Sequence, residues 1–583
     1  MRDIKFESSK FLRKEGYSKE SANHSSKMSG ARFIAETFKG YGVTHVFFVE
    51  SILNRTLVEV EALGIRRVMA HSEKAAAYMA DGYARASHKP GICMAQSVGA
   101  ANLASGLQDP YLGLSPVIAI TGRRPPIEMY RNAYQEIEHG PMFDPVTKYN
   151  VGVETVAQLP YILRQAFREA TSGAPGPVHL DVAGLSGRII EDAEENLQVI
   201  IEESFTHYPS SRAEPEIGRI EEAVRILQAA ERPVIVAGGG AEASSAGPEI
   251  VELAEMLSIP IATSLNGKGI ISDRHPLNAG VVGSYSRWCA NRIVSEADLV
   301  LFIGSHTSDQ VTNGWTIPSL DTPVIQIDID PSELGRNYPN TVPVLGDARV
   351  AIQRMKRFIK KSHTKSQWVQ RAQQLVKEWR DETEPLRNSD AMPIRPERLC
   401  KEISEALPPD AILVADTGHA GIWTGTMVYL THPGQSYIRC AGSLGWGFPG
   451  SLGVKCAAPD RPVLCFTGDG GFWYHLSELE TASRCGIKTV TVVNNNHSLN
   501  QCLVLVDRAY GDREGHKEDL FNFREVNFAR IANEVGCFGI RVERPGEISE
   551  ALRKALASDL PAVVDVVTDW KCRAASAWKP PSK

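Results

Sequence analysis

Two short loops carry the residue types that hold a phosphorylated ligand and a hard divalent cation. The run Pro462-Val-Leu-Cys-Phe-Thr467 reads as a buried strand and leads into Gly468-Asp469-Gly470-Gly471. A helical pattern follows from about Trp473 to Arg484. A second strand, Lys488 to Val493, then ends in Asn494-Asn495-Asn496. Both loops fall at the carboxyl ends of parallel strands, where open α/β sheets bind ligands. Glycines let a backbone approach phosphate oxygens, and a helix N-terminus favours their charge. Asp469 and an Asn side-chain oxygen are ligands of the kind Mg²⁺ takes, with phosphate and water completing its octahedron. Gly-Asp-Gly alone is a common turn. Three asparagines directly after a buried strand are poor strand formers and costly to bury unpaired, so the two loops together carry the argument.

Three further stretches hold candidate residues. His71-Ser-Glu-Lys-Ala-Ala-Ala-Tyr-Met-Ala-Asp-Gly-Tyr-Ala-Arg85 puts Glu73 at a helix start, where an acid also simply meets a favourable dipole. Gly442-Ser-Leu-Gly-Trp-Gly-Phe-Pro-Gly-Ser-Leu-Gly453 is a glycine-rich loop with Leu444 near its beginning. Asp416-Thr-Gly-His-Ala420 follows another strand-like run.

Together with the spacing from Gly468-Asp469-Gly470 to Asn495-Asn496, these stretches resemble the thiamine-diphosphate (ThDP) enzyme family, over nearly the whole chain from about Gly30. The resemblance implies that Asp469, the Asn496 side chain and the Ser498 main-chain carbonyl bind Mg²⁺. It places Gly468, Gly470, Gly471, His419 and Ala420 around the diphosphate, with His419 either a donor to it or a satisfied structural histidine. It makes Glu73 the carboxylate that drives the pyrimidine ring to its imino form, the base for the thiazolium C2 proton. Leu444 matches the apolar wedge that holds the two rings in a V, and Gln135 sits beside the thiazolium. In the family Glu73 and Asp469 belong to different subunits, which implies a homodimer or homotetramer with active sites at the subunit interface.

Within the family the chain is most similar to the acetolactate synthase catalytic subunit. The middle stretches Ala237-Gly-Gly-Gly240, Leu265-Asn-Gly-Lys-Gly269, Ser308-Asp-Gln-Val-Thr312 and Ile327-Asp-Ile-Asp330 resemble the domain that holds FAD there. FAD, ADP and no nucleotide all fit this stretch. The segment from Tyr134 to Tyr149 keeps Gln135, but Asp144 stands where the synthase has a basic residue. His306 replaces an Arg, Leu505 an aromatic residue, and Val49-Glu-Ser-Ile52 a glycine- and proline-containing loop. Putting an anion where a cation met a carboxylate reverses an interaction on the order of several kcal/mol in a partly buried site. This argues against a standard acetolactate synthase and for an uncharged acceptor: an aldehyde, ketone or diketone.

The elements that must position these residues alternate strand and helix, which implies α/β domains with doubly wound parallel sheets. The expected layout is a disordered tail over 1–28 and a pyrimidine-binding domain over 29–185. A central domain covers 215–355, and a diphosphate- and metal-binding domain 395–575. The first and last domains end alike, in Pro177-Val-His-Leu-Asp-Val182 and Pro561-Ala-Val-Val-Asp-Val566, hinting at related architecture. A length of 583 residues suits about three domains. A net charge of -6 advertises no basic surface, so nucleic acid is an unfitting partner. No apolar run reaches membrane-helix length. Ten cysteines without a C-x-x-C pair fit a reducing cytoplasm rather than a disulfide framework or zinc site.

The reading is therefore a ThDP- and Mg²⁺-dependent carboligase or decarboxylase, a transferase or lyase acting on small carbonyl compounds. A ThDP-dependent diketone or acyloin hydrolase or lyase is the alternative. A non-catalytic paralogue is disfavoured because Glu73, Asp469 and Asn496 are all present. A dehydrogenase lacks G-x-G-x-x-G after the strand at 233–237, and a serine hydrolase lacks the first glycine of G-x-S-x-G.

Overall fold

The computed structural model describes residues 26–359 and 366–581. Most of the tail expected over 1–28 lies outside them. Its last residues are ordered, because Ser26–Ser29 pairs antiparallel with Glu194–Leu197. The stretch between the expected first and central domains, after 185, is likewise built in: it supplies that partner strand and the short helix Arg188–Asp192.

Three six-stranded sheets follow, each with every pairing parallel. The first has the spatial order Arg66–Met69, His45–Phe48, Gly91–Gln96, Val117–Arg123, Val178–Ala183, Tyr149–Val153. The third has Ser436–Arg439, Ile412–Ala415, Val463–Gly468, Val490–Asn495, Ala562–Val567, Phe538–Val542. Counted along the chain, both read 2-1-3-4-6-5, so the similar endings noted in the sequence are the same strand of the same topology. The middle sheet runs Asn278–Val281, Ile261–Thr263, Pro233–Ala237, Leu299–Ile303, Val324–Asp328, Thr341–Leu345. That is 3-2-1-4-5-6, the order of dinucleotide-binding sheets.

The first and third domains share a core. The helix Glu73–Ser87 buries an alanine-rich face, and the helix Gly447–Ala457 lies against it. Small residues permit backbone contact here. A Cβ on Gly82 would stand 2.0 Å from the Gly450 carbonyl oxygen, and one on Gly453 only 1.8 Å from that of Met79. The candidate Glu73 is thereby carried on a helix seated on the third domain of its own chain.

The helix expected from Trp473 to Arg484 is broken into Asp469–Trp473 and Glu478–Cys485. The break lets Tyr474 and His475 face the first domain: the Lys74 ammonium lies 6.0 Å from the Tyr474 ring, and the His475 ring meets Tyr78 edge-on at 5.5 Å.

Candidate active site

The strand Val463–Gly468 delivers Asp469 to the carboxyl edge of the third sheet, beside the end of Val490–Asn495. Asn494 and Asn495 lie in that strand rather than after it. Asn495 is buried because its amide donates to Asp565 Oδ1 at 2.8 Å and to the Val526 carbonyl at 3.0 Å. Asn496 begins the loop. His497 takes a left-handed φ of 55°, uncommon outside glycine, and turns the chain so that the Ser498 N–H points back. That N–H donates to Asp469 Oδ2 at 3.1 Å and to Asn496 Oδ1 at 3.0 Å. The two expected metal ligands thus converge. The adjoining bridge between Ser498 and Asn522 uses the His497 carbonyl and the Leu499 N–H, and neither bond takes the Ser498 carbonyl.

Burial pushes the Asp469 carboxyl up to about 7, despite N–H donors from Gly470, Ser498 and His497. Among the described residues, no lysine or arginine is one of the leading groups that shift it. A buried carboxylate converging with an amide oxygen and lacking a cation is a donor set that fits Mg²⁺. The glycines around it have separable reasons. A Cβ on Gly470 would meet Leu499 at 2.4 Å, and one on Gly471 would meet Thr467 Oγ1 at 2.9 Å, so both answer to packing. Gly468 faces open space, leaving its backbone approachable.

His419 starts the helix His419–Met427. Its Nδ1 lies 2.8 Å from Asn500 Oδ1, while the Asn500 amide donates to the Trp570 and Cys572 carbonyls. With its NH₂ committed to two carbonyls, Asn500 presents oxygen to the ring, which assigns the proton to His419 Nδ1. Burial lowers the His419 pKa, so the neutral ring keeps Nε2 as an acceptor. Donation to a phosphate from Nε2 then requires the imidazolium. Ala420, next in the chain, is buried.

Leu444 is half-buried in the turn before the helix Gly447–Ala457. Asp416, at the end of Ile412–Ala415, accepts the Gly445 N–H at 3.1 Å and the Gly447 N–H at 3.0 Å. It also takes the Thr417 N–H and the Thr467 hydroxyl, yet burial still raises it to about 6.

On the first domain, Glu73 heads its helix and accepts from Asn102 Nδ2 at 3.1 Å. A Cβ on Gly99 would stand 2.5 Å from Glu73 Oε1, so this carboxylate lies close along the helix Gly99–Leu112. Gln135 has a left-handed φ of 59°, in a loop where Tyr130 and Asn132 do too. The Ser97 hydroxyl donates to its carbonyl at 2.6 Å, and its own Oε1 is buried without a partner. Such strained residues persist where their surroundings over-determine them, and they cluster at functional sites.

The three single-residue departures from the synthase pattern are not brought together within one chain. Asp144 is exposed on a 3₁₀ turn, bonded to Asn150 at 2.7 Å, at the rim of a cavity of about 460 Å³ in the first domain. His306 lines a different cavity, of about 660 Å³, at the point where the middle sheet reverses its order. Leu505 is 64% exposed on the helix Leu503–Tyr510. Within one chain His306 therefore lines a cavity between the domains, apart from Asp144. The Gly238–Gly240 turn owes its glycines to packing, since a Cβ on Gly238 would meet the Gly304 carbonyl oxygen at 2.3 Å. That spacing is thus no argument for a phosphate.

Comparison with known proteins matches this layout. The N-terminal TPP binding domain of thiamine pyrophosphate enzymes matches residues 28–142, their central domain 220–355, and their C-terminal TPP binding domain 416–566. A probable acetolactate synthase large subunit of Methanococcus aeolicus is 33% identical over 522 residues, covering 86% of this chain and 85% of that protein. The chain belongs to the acetolactate synthase-like thiamine pyrophosphate enzymes. The Methanocaldococcus jannaschii counterpart is 32% identical over 565 residues, covering 93% of this chain and 92% of that protein. The acetolactate synthase large subunit of Lactococcus lactis is 30% identical over 549 residues, covering 92% of each. The chain is therefore a ThDP-dependent enzyme of carboligation or decarboxylation. No helix among the described residues is long and apolar enough to cross a membrane.

Four residues of this candidate site are not marked by the sequence: Asn102, Asp109, Asp416 as a hydrogen-bond hub, and Asn500. Asp109 accepts the N–H groups of Ala441, Gly442 and Ser443, more than half the chain away, so no local pattern marks it.

Proposed function

We propose that this enzyme joins a donor derived from a 2-keto acid to an uncharged carbonyl acceptor, using ThDP held through Mg²⁺. The observation that carries the acceptor assignment is the charge around the 460 Å³ cavity lined by Glu136 and Glu138, which follow Gln135 in the chain. Asp144 stands at its rim with Glu136 and Glu138. Its two arginines are already committed: Arg123 pairs with Glu154 and lies 3.4 Å from Asp181, and Arg124 pairs with Glu128 at 2.8 Å. An acceptor carboxylate finds acidic neighbours there and no free cation among the described lining residues. A neutral carbonyl meets no such repulsion.

When bound, ThDP would supply a nucleophilic ring carbon and a thiazolium ring that takes up the electron pair released next to a carbonyl. The chain's own residues do the rest. Asp469, Asn496 and the Ser498 carbonyl would hold the metal, and the backbone at Gly468 would leave room for the diphosphate. Glu73 would hold a proton against the pyrimidine ring, with Asn102 orienting its carboxylate. Leu444 would pack against the cofactor. Gln135, held by Ser97, offers an amide to the reacting carbonyl.

Large apolar side chains stand exposed beside both halves of this arrangement. Ile127, Tyr130 and Tyr134 lie around the Gln135 loop; Trp473, Tyr474 and Leu505 lie around the metal loop. Unburied apolar patches of this kind mark interaction surfaces. They support a dimer in which the first domain of one chain completes the third domain of the other. The function is tested by identifying products of the ThDP- and Mg²⁺-loaded enzyme from pyruvate with neutral and with carboxylate acceptors.

A further inference from the structure

Asp109 is fully buried near the end of the helix Gly99–Leu112, in the first domain. Its carboxylate nevertheless bonds to the third domain. Oδ1 accepts the Ala441 N–H at 2.8 Å, and Oδ2 accepts the N–H groups of Gly442 and Ser443 at 3.2 and 3.0 Å. Three consecutive amides converging on one carboxylate fix the path of the chain immediately before Leu444. Asp416 fixes the path immediately after it, through Gly445 and Gly447.

Asp109 is itself held. Arg85 donates to it at 3.0 Å, to both oxygens of Asp81 at 2.8 Å, and to the Arg439 carbonyl at 2.6 Å. Asp81 accepts the Trp446 indole N–H at 2.9 Å, and the Arg85 guanidinium lies 5.2 Å from the Trp446 ring. Chain positions 439, 441–443 and 446 are therefore tied to the first domain, and 445 and 447 to Asp416. Leu444 sits between the two grips with its side chain left to project.

We propose that Asp109 is a positioning residue for the enzyme: from the first domain it pre-sets the loop that aims Leu444 at the cofactor. The proposal rests on the reading of Leu444 as the wedge between the cofactor rings. Free Asp109 would have no reason to be buried in an interdomain contact, because desolvating a carboxylate is costly unless it is fully bonded. Here every hydrogen bond its carboxylate makes beyond Arg85 goes to the loop. The loop is thus ordered before the cofactor arrives, and binding does not have to supply that ordering.

Hydrogen exchange followed by mass spectrometry on the full-length wild-type protein without ThDP is the first arm. The amides of 441–443 are expected to be protected before ThDP and Mg²⁺ are added. Free exchange at these amides in the cofactor-free protein would overturn the proposal, and this arm needs no variant. In the second arm, Asp109→Asn leaves one acceptor oxygen for three amides. Exchange at 441–447 is expected to quicken by about tenfold or more, the scale of losing one charge-assisted bond, with the strand Ile412–Ala415 unchanged. The third arm is a double-mutant cycle read as ThDP dissociation constant and kcat. Asp109→Asn should lower both affinity and kcat in the wild-type background and add nothing in a Leu444→Ala background. Independent, multiplying effects would mean that Asp109 merely stabilises the fold, and would overturn the proposal. Leu444→Ala alone with wild-type kcat and affinity would instead reject the wedge reading, whatever the exchange arms show of Asp109.

Discussion

Asp469 and Asn496, on the loops after two neighbouring strands, point side-chain oxygens at the same backbone N–H, that of Ser498, from 3.1 and 3.0 Å. One amide stands there in place of shared cationic charge, and burial holds Asp469 up at about 7. Below that pH the folded protein keeps a proton that Mg²⁺ must displace. Mg²⁺-dependent ThDP binding should therefore strengthen as pH rises toward about 7 and level off above it. The sign for stability is the reverse. An unfolded Asp loses its proton near 3.9, so between about 4 and 7 this residue makes the cofactor-free fold less stable as pH rises. Calorimetric titration at several pH values checks the first trend and thermal unfolding the second. Asp469→Ala should weaken Mg²⁺ and ThDP together and flatten both.

Glu73→Gln should leave the helix Glu73–Ser87 and ThDP affinity intact, because the amide can still meet Asn102. Turnover should fall by about 10²- to 10⁴-fold, the usual worth of a positioned acid–base group. Steady-state kinetics alongside ThDP titration checks this. Wild-type kcat in this variant rejects Glu73 as the activating carboxylate.

If each active site combines Glu73 of one chain with Asp469 of another, inactive variants should complement. Mixing Glu73→Gln with Asp469→Ala under subunit exchange creates dimers with one intact site. Recovery of roughly a quarter of wild-type activity is expected for random pairing across a two-fold axis. Mixtures that stay inactive after confirmed exchange place both residues in one chain's site.

The seat of the Glu73 helix on the third domain depends on missing side chains. Gly453→Ala forces a methyl group against the Met79 carbonyl, where no rotamer change can relieve it. It should destabilise the protein by about 1–3 kcal/mol or more, as overpacking does. Denaturant unfolding measures it, with Gly486→Ala a poor control because Gly486 has a left-handed φ of 60°. Gly546, which faces open space, is the suitable one.

The strand ends were legible because the chemistry sits on them. Val463–Gly468 and Val490–Asn495 are apolar runs stopped by Gly-Asp-Gly and by asparagines, and the two loops announce each other through their spacing. The helix break at Tyr474 was not legible, since Trp473 to Arg484 keeps a helical pattern and contact with the Glu73 helix decides it. The glycines of Gly238–Gly240 answer to the crossing backbone at Gly304, which glycine spacing in a sequence does not tell from a ligand. Asp109 and Asn500 were invisible for the opposite reason: a buried polar residue declares its partner only once the fold joins distant segments. Within one chain His306 and Asp144 stand apart because they lie in different domains.

The central claim is that the ThDP centre serves an uncharged acceptor, and product analysis tests it most directly. The wild-type enzyme, loaded with ThDP and Mg²⁺, would be given pyruvate alone, then pyruvate with neutral aldehydes, ketones and diketones, and the products identified by mass spectrometry. Cross-products with a neutral acceptor, formed faster than acetolactate, are the expected result. Asp144→Lys should shift the ratio toward the carboxylate acceptor. Efficient conversion of pyruvate to acetolactate, with neutral acceptors ignored, would contradict the account and make this a standard acetolactate synthase.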